Sequence, residues 1–187
     1  MTRRRTLLRT LVALAALAVA PVPPLAAQPL DGPGTILIMR HALAPGVGDP
    51  AGFRLDDPST QRNLDETGRA QARAIGARLR AAGFVADRVL TSRWRRCSET
   101  AELLDLGPVE PFPALDSFFG RRERRAEQTE ALRRFLTELP PESRVMLVTH
   151  QVNITALTGV VPRSGEILSL AVGADGAVEV LERIPPP

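Results

Sequence analysis

Two short apolar runs, each closed by a histidine, constrain this chain more than any other feature. "TILIMRHA" (35–42) and "VMLVTHQ" (145–151) hold the only two histidines of the 187 residues. An unbroken apolar run of this length, followed at once by polar residues, predicts a short buried strand. "DRVLTS" (87–92) predicts another, and a hairpin is expected over 166–183. Helix-period segments lie between them. One runs from about Glu66 to Ala82, with Asp65 as N-cap, Ala70, Ala74, Ile75 and Leu79 on one face, and Gly83 as stop. Others cover 93–106, 121–140 (burying Leu132, Phe135, Leu136 and Leu139) and 151–159. Residues 45–60 and 107–120, rich in turn formers, read as long loops. Strands alternating with helices predict an α/β fold, a three-layer α/β/α domain on a mainly parallel sheet. In such sheets ligands gather at the carboxyl ends of the strands. His41, the segment "TSRWRR" and His150 all fall on that edge.

Composition narrows the chemistry. Lysine and tyrosine are absent, so Schiff bases, tyrosine nucleophiles and lysine phosphate ligands are excluded, and all 24 basic residues are arginine. Cys97 is the only cysteine. It rules out an internal disulfide and, with no base nearby in sequence, reads as a small packed thiol. Two histidines and a carboxylate could in principle hold zinc. Arg40 directly beside His41 repels a cation, however, and suits an anion.

Arginine presents a planar fork matched to phosphate oxygens, and phosphoryl transfer needs positioned positive donors. A neutral histidine can attack phosphorus through one ring nitrogen when the other donates to a carbonyl. Arg40, Arg62 and Arg96 are the candidate cradle, His41 the nucleophile and His150 a second donor over the transferring group. The arginines of 121–134 are interleaved with Glu123, Glu127 and Glu130, which describes a solvated face laced with ion pairs.

The first 27 residues read as an export signal. They comprise a head with Arg3, Arg4, Arg5 and Arg9, a short apolar middle, and a small-residue exit with cleavage expected after Ala27. "RRRTLLR" resembles a twin-arginine signal. Prolines at 21, 23 and 24 cut the apolar stretch below the about 20 residues a spanning helix needs, so no membrane anchor is expected once the signal is removed. Residues 28–187 then form a single domain in the periplasm or another exported space. Removing the four arginines leaves 20 basic against 21 acidic residues, which does not support a nucleic-acid surface. Nothing in the pattern specifies an oligomeric state.

Together these elements resemble the histidine phosphatase superfamily, with its phosphoglycerate mutase-like fold, over most of residues 28–187. "MRHA" stands where the family carries Arg-His-Gly, and the resemblance implies that His41 is the phosphorylated nucleophile. "TSRWRRCSETA" is similar to the family's Ser-x-x-x-Arg-x-x-x-Thr-Ala element and puts its phosphate-binding arginine at Arg96. "LVTHQ" matches the second histidine, His150. "QRNLDETGRAQA" (61–72) resembles the Leu-x-x-x-Gly-x-x-Gln-Ala helix start, and Arg62 matches an arginine of the small phosphohistidine-phosphatase branch.

Three departures stand out. Ala42 and Gln151 replace glycines, and "LDSFF" (115–119) puts Ser117 where many members carry a glutamate general acid. Asp116 and Glu166 are the candidate substitutes, and spacing alone assigns neither. Without an acid only good leaving groups, such as acyl phosphates and phosphoramidates, depart quickly. Protonating a poor one is worth about 10²–10⁴-fold.

The expected function is therefore a metal- and cofactor-independent exported phosphatase acting on a small phosphorylated substrate. The alternative is a non-catalytic phosphate-binding module of the envelope. Trp94 is expected at the strand–helix junction, and Phe118 and Phe119 over the crevice or in the core. Asn153 would touch a ligand or cap a helix, and Asp49 and Arg54 would shape specificity from the loop after His41.

Overall fold

Ile36–Arg40 (β1) lies inside the sheet because its apolar side chains project to both faces, and residues 37–39 are fully buried. In the computed structural model, which describes residues 30–187, five further strands join it. They are β2 (Arg88–Thr91), β3 (Val109–Pro111), β4 (Val145–Thr149), β5 (Ile167–Val172) and β6 (Val178–Ile184). The spatial order is β3-β2-β4-β1-β5-β6. The first four are mutually parallel, whereas β5 runs antiparallel to β1 and β6 to β5. The export signal read over residues 1–27 lies outside the described residues.

Four helices cover the two faces. Alternate strand residues Leu37, Met39, Met146 and Val148 pack against α1 (Glu66–Ala81) and α2 (Arg95–Leu104) through Ile75, Leu79, Cys97, Ala101 and Leu104. Ile36, Ile38, Val145 and Leu147 point the other way, toward α3 (Arg125–Thr137) and α4 (Gln151–Thr158), and meet Leu132, Leu136, Ile154 and Leu157. This two-sided burial makes three layers, as the strand and helix alternation predicts. No helix among the described residues is long and apolar enough to cross a membrane.

Three local expectations are corrected. Helix α1 starts on Asp65, whose carboxylate accepts from the Gly68 amide at 2.7 Å, but Ala70 and Ala74 are exposed. The inner face is Gly68, Ala72, Ile75, Gly76 and Leu79. Two glycines define it because neighbouring backbone comes too close for any side chain. A Cβ on Gly68 would stand 1.9 Å from the Leu43 carbonyl oxygen, and one on Gly76 2.0 Å from that of Leu104. Reading alanines as the apolar stripe missed this, since close approach leaves no hydrophobic signature.

The segment 107–120 is also more than a loop. It contributes β3, an edge strand that tolerates its terminal Pro111 because the far side needs no ladder donor. The segment 121–140 opens with a 3₁₀ turn, Arg122–Arg124, before α3, and of its expected face Phe135 and Leu139 are only half-buried.

Candidate active site

Strands β1 and β4 are paired in register, Arg40 opposite Thr149, so the next residues, His41 and His150, stand side by side. Their ring centroids are 5.5 Å apart at 69°. The His41 amide continues the ladder to the Thr149 carbonyl at 2.9 Å, and the Gly165 amide donates to the carbonyls of Arg40 and His41. The histidine backbone is thus fixed from both neighbouring segments.

The ring of His41 is fixed as well. Its Nδ1 lies 2.7 Å from the Ala42 carbonyl oxygen. A carbonyl can only accept, so Nδ1 carries the proton and Nε2 keeps its lone pair. Burial pushes the His41 pKa down to about 3, the nearby Arg96 adds to the shift, the Ala42 bond opposes it, and Arg40 and Arg62 contribute further. The ring is neutral at ordinary pH, the state a nucleophilic nitrogen requires.

Residues 42–44 are held by the elements that the sequence motifs marked. Thr100 Oγ1 accepts from the Ala42 amide at 3.1 Å, and Gln71 Oε1 accepts from the Leu43 amide at 2.9 Å. Leu64 and Ala72 pack on Ala42 and Ala44. The helix start at 61–72 therefore serves as a clamp on the chain that leaves His41. Ala42 itself has ordinary negative φ; Asp105 is the only non-glycine residue with positive φ among those described, so alanine is accommodated where glycine was expected.

His150 is likewise neutral, its pKa pushed well down by burial first, then by Arg96, His41, Arg62 and Arg40. The Ser92 hydroxyl lies 2.8 Å from its Nε2 and 3.4 Å from Asp116 Oδ1, while Nδ1 faces Arg96 Nη2 at 3.4 Å. Arginine only donates, so Nδ1 accepts from Arg96, Nε2 carries the hydrogen toward the Ser92 oxygen, and the Ser92 hydroxyl donates on to Asp116. Trp94 packs its edge against the His150 ring at 5.5 Å and stacks on Phe53.

A cleft of about 160 Å³ opens on this edge, lined by Arg40, His41, Gly46, Val47, Gly48, Asp49, Arg62, Arg96, Ser117, Phe119, His150, Gln151 and Val152. All three expected arginines, both histidines and Gln151 converge on it. Arg96, in the first turn of α2, is buried, with its Nη1 2.5 Å from Asp49 Oδ1. Arg40 donates to the Pro162 carbonyl, and Arg62 reaches the carbonyls of Gly48 and Ala44. Arg40 Nε and Arg96 Nε are buried without a partner among the described residues. Burial and the proximity of Arg96 lower the pKa of both Arg40 and Arg62. Guanidinium groups remain cationic in proteins, so their crowding creates a strong positive potential that a multiply charged oxyanion relieves.

The two carboxylates suggested as general acid do not line this cleft, which corrects that expectation. Asp116 is buried behind His150 and accepts from the Arg93 amide, Nε and Nη2; its own carbonyl accepts from Gln128 and Asn153. Asn153 is thus a tether for the 113–116 segment and not a ligand contact. Glu166 is tied to Arg183 Nε at 2.7 Å and to the Arg163 amide. Those bonds hold its pKa below the usual carboxylate range, the Arg183 hydrogen bond contributing most. Ser117, where the resemblance expects the glutamate, does line the cleft, and so does Phe119, whereas Phe118 is core. Cys97 is buried, and desolvation raises its pKa to about 12, which makes it a packed thiol. Arg54 is exposed and pairs with Asp57 away from the cleft. The Ser-x-x-x-Arg-x-x-x-Thr-Ala element marked Ser92 and Thr100, but not what they do: their partners, His150 and the Ala42 amide, lie 58 positions away and leave no local signal. No group of three or more metal-ligating side chains comes together among the described residues.

The fold recurs in solved structures. The protein histidine phosphatase SixA complexed with tungstate superposes with a TM-score of 0.57 at 18% identity, over 81% of this chain and 96% of that one. Rv3214 from Mycobacterium tuberculosis gives 0.60 at 16%, over 81% and 97%. The mycobacterial glucosyl-3-phosphoglycerate phosphatase Rv2419c gives 0.56 at 18%, over 79% and 96%. At these identities the likeness establishes the phosphoglycerate mutase-like fold. The family model of the histidine phosphatase superfamily (branch 1) matches residues 36–134, and the chain belongs to that superfamily. No curated protein matches the sequence.

Proposed function

We propose that this chain is a metal-independent phosphatase that hydrolyses a small phosphorylated compound in the bacterial envelope through a phosphohistidine on His41. One observation carries the reading. His41 Nδ1 is committed to the Ala42 carbonyl, which leaves Nε2 as a neutral nucleophile on the wall of a cleft shared with Arg40, Arg62 and Arg96. The arginines hold three phosphoryl oxygens and spread the charge that develops in transfer, and His150 becomes a further donor once the oxyanion draws Arg96 away from its Nδ1 and that nitrogen takes up the ring hydrogen. Water then attacks the phosphohistidine and releases phosphate. SixA, which shares this fold, was solved complexed with tungstate, and this supports an oxyanion as the ligand. The signal-like residues 1–27 support export.

The test is to incubate residues 28–187 with an aryl phosphate, with and without chelator. Chelator-resistant phosphate release that vanishes in His41→Ala is the expected result. Phosphate binding with no release from a broad panel of phosphate esters would instead make the protein a binding module.

A further inference from the structure

We infer that Asp49 is the general acid of this site, an inference that rests on the phosphatase reading above. Asp49 is the only carboxylate among the cleft-lining residues. The other titratable groups there are three arginines, which do not release protons, and two histidines whose pKa values are depressed. An ester oxygen leaving this cleft therefore finds one side chain able to hand it a proton.

The placement of Asp49 is built. Oδ1 accepts from Arg96 Nη1 at 2.5 Å and Oδ2 from Trp94 Nε1 at 3.0 Å. Its loop is fastened by Arg62, which holds the carbonyls on either side of the turn, Ala44 and Gly48. Val47, two residues earlier and 90% exposed, puts this stretch at the rim, where a leaving group has room to extend.

Asp49 thus occupies the guanidinium fork that a substrate phosphoryl group would use. A phosphoryl dianion that takes over Arg96 leaves Asp49 on Trp94 beside a second negative charge, and like charges so close favour one bound proton. The carboxyl then faces the ester oxygen. As the His41 Nε2 lone pair forms the N–P bond, the P–O bond breaks. Its electron pair goes to the leaving oxygen, which takes the Asp49 proton. In the second half a water attacks phosphorus and gives a proton back to Asp49. The N–P bond breaks, its electrons return to His41, and phosphate leaves. The sum is ester plus water to alcohol plus phosphate.

The experiment compares wild type, Asp49→Asn and Asp49→Glu on phosphate esters graded from dinitrophenyl to simple alkyl, with fluoride-free buffers and inorganic phosphate binding as a measure of an intact cradle. An acid predicts loss graded by leaving group. Asp49→Asn should fall about 10²–10⁴-fold in kcat/KM on alkyl phosphates and less than about tenfold on dinitrophenyl phosphate. The basic limb of its pH profile should disappear, and Asp49→Glu should recover part of the alkyl activity. Equal loss on every ester would overturn the inference and make Asp49 a positioning residue for Arg96, as would unchanged activity on alkyl phosphates. Should wild type release phosphate from none of them, the phosphatase reading itself fails, and the acid with it.

Discussion

His41 and its neighbours set the behaviour expected of single side chains. Its folded pKa is about 3 against 6.5 for the free residue. Between those values the unfolded chain binds a proton that the native state does not, so stability rises with pH across that window and is independent of His41 above it. Falling pH should cost up to about 1.4 kcal/mol per unit from this residue, and His150, shifted the same way, steepens the slope. Urea midpoints between pH 4 and 7 check this: His41→Gln should flatten the dependence, and an unchanged slope would show that the site is not protonation-linked. Thr100→Val makes a second test, since it leaves the Ala42 amide without its acceptor. A buried unsatisfied donor costs about 1–3 kcal/mol; phosphate release should fall with it, because the Ala42 carbonyl orients the nucleophile.

Helices and strands have their own tests. Glu166 ties the start of β5 to Arg183 in β6. Glu166→Gln should lower stability by about 1–3 kcal/mol and leave the ranking of alkyl and aryl phosphates unchanged, as checked by thermal melting alongside a leaving-group series. A selective loss on alkyl esters would return Glu166 to consideration as the acid. Gly68→Ala tests the clamp at the start of α1, because its Cβ meets the Leu43 carbonyl at 1.9 Å. Overpacking costs about 1–3 kcal/mol. Here it should also reduce turnover through the displaced 42–44 segment, whereas an exposed position such as Ala74 should tolerate substitution in both assays.

For the molecule as a whole, three converging arginines predict stabilisation by oxyanions. Tungstate or phosphate at 100 times its Kd should add about 2.7 kcal/mol, a Tm rise of roughly 5–10 °C for a domain of this size. Arg96→Ala should remove most of that rise, and added salt should weaken it by screening. A rise of equal size in Arg96→Ala would place the anion elsewhere.

Five of the six described strands, the helices and the two histidines were readable from the chain because they depend on neighbours in sequence, whereas the short edge strand β3 was not. An unbroken apolar run must be buried on both faces whatever surrounds it, and a residue at its end must emerge at the sheet edge. The four motifs likewise mark His41, His150, Arg40, Arg62 and Arg96, which meet at one cleft. The carboxylates were a different matter. Asp116 finds Arg93 across 23 positions, Glu166 finds Arg183 across 17, and Asp49 finds Arg96 across 47. Each lies in a loop or at its margin, where no hydrogen-bond ladder repeats and position follows from whichever distant partner the packed layers present. Local pattern thus settled five of the six described strands and the anion-binding edge. Only folding decided which acid faces the cleft, because loop side chains take their direction from long-range contacts that sequence spacing does not encode.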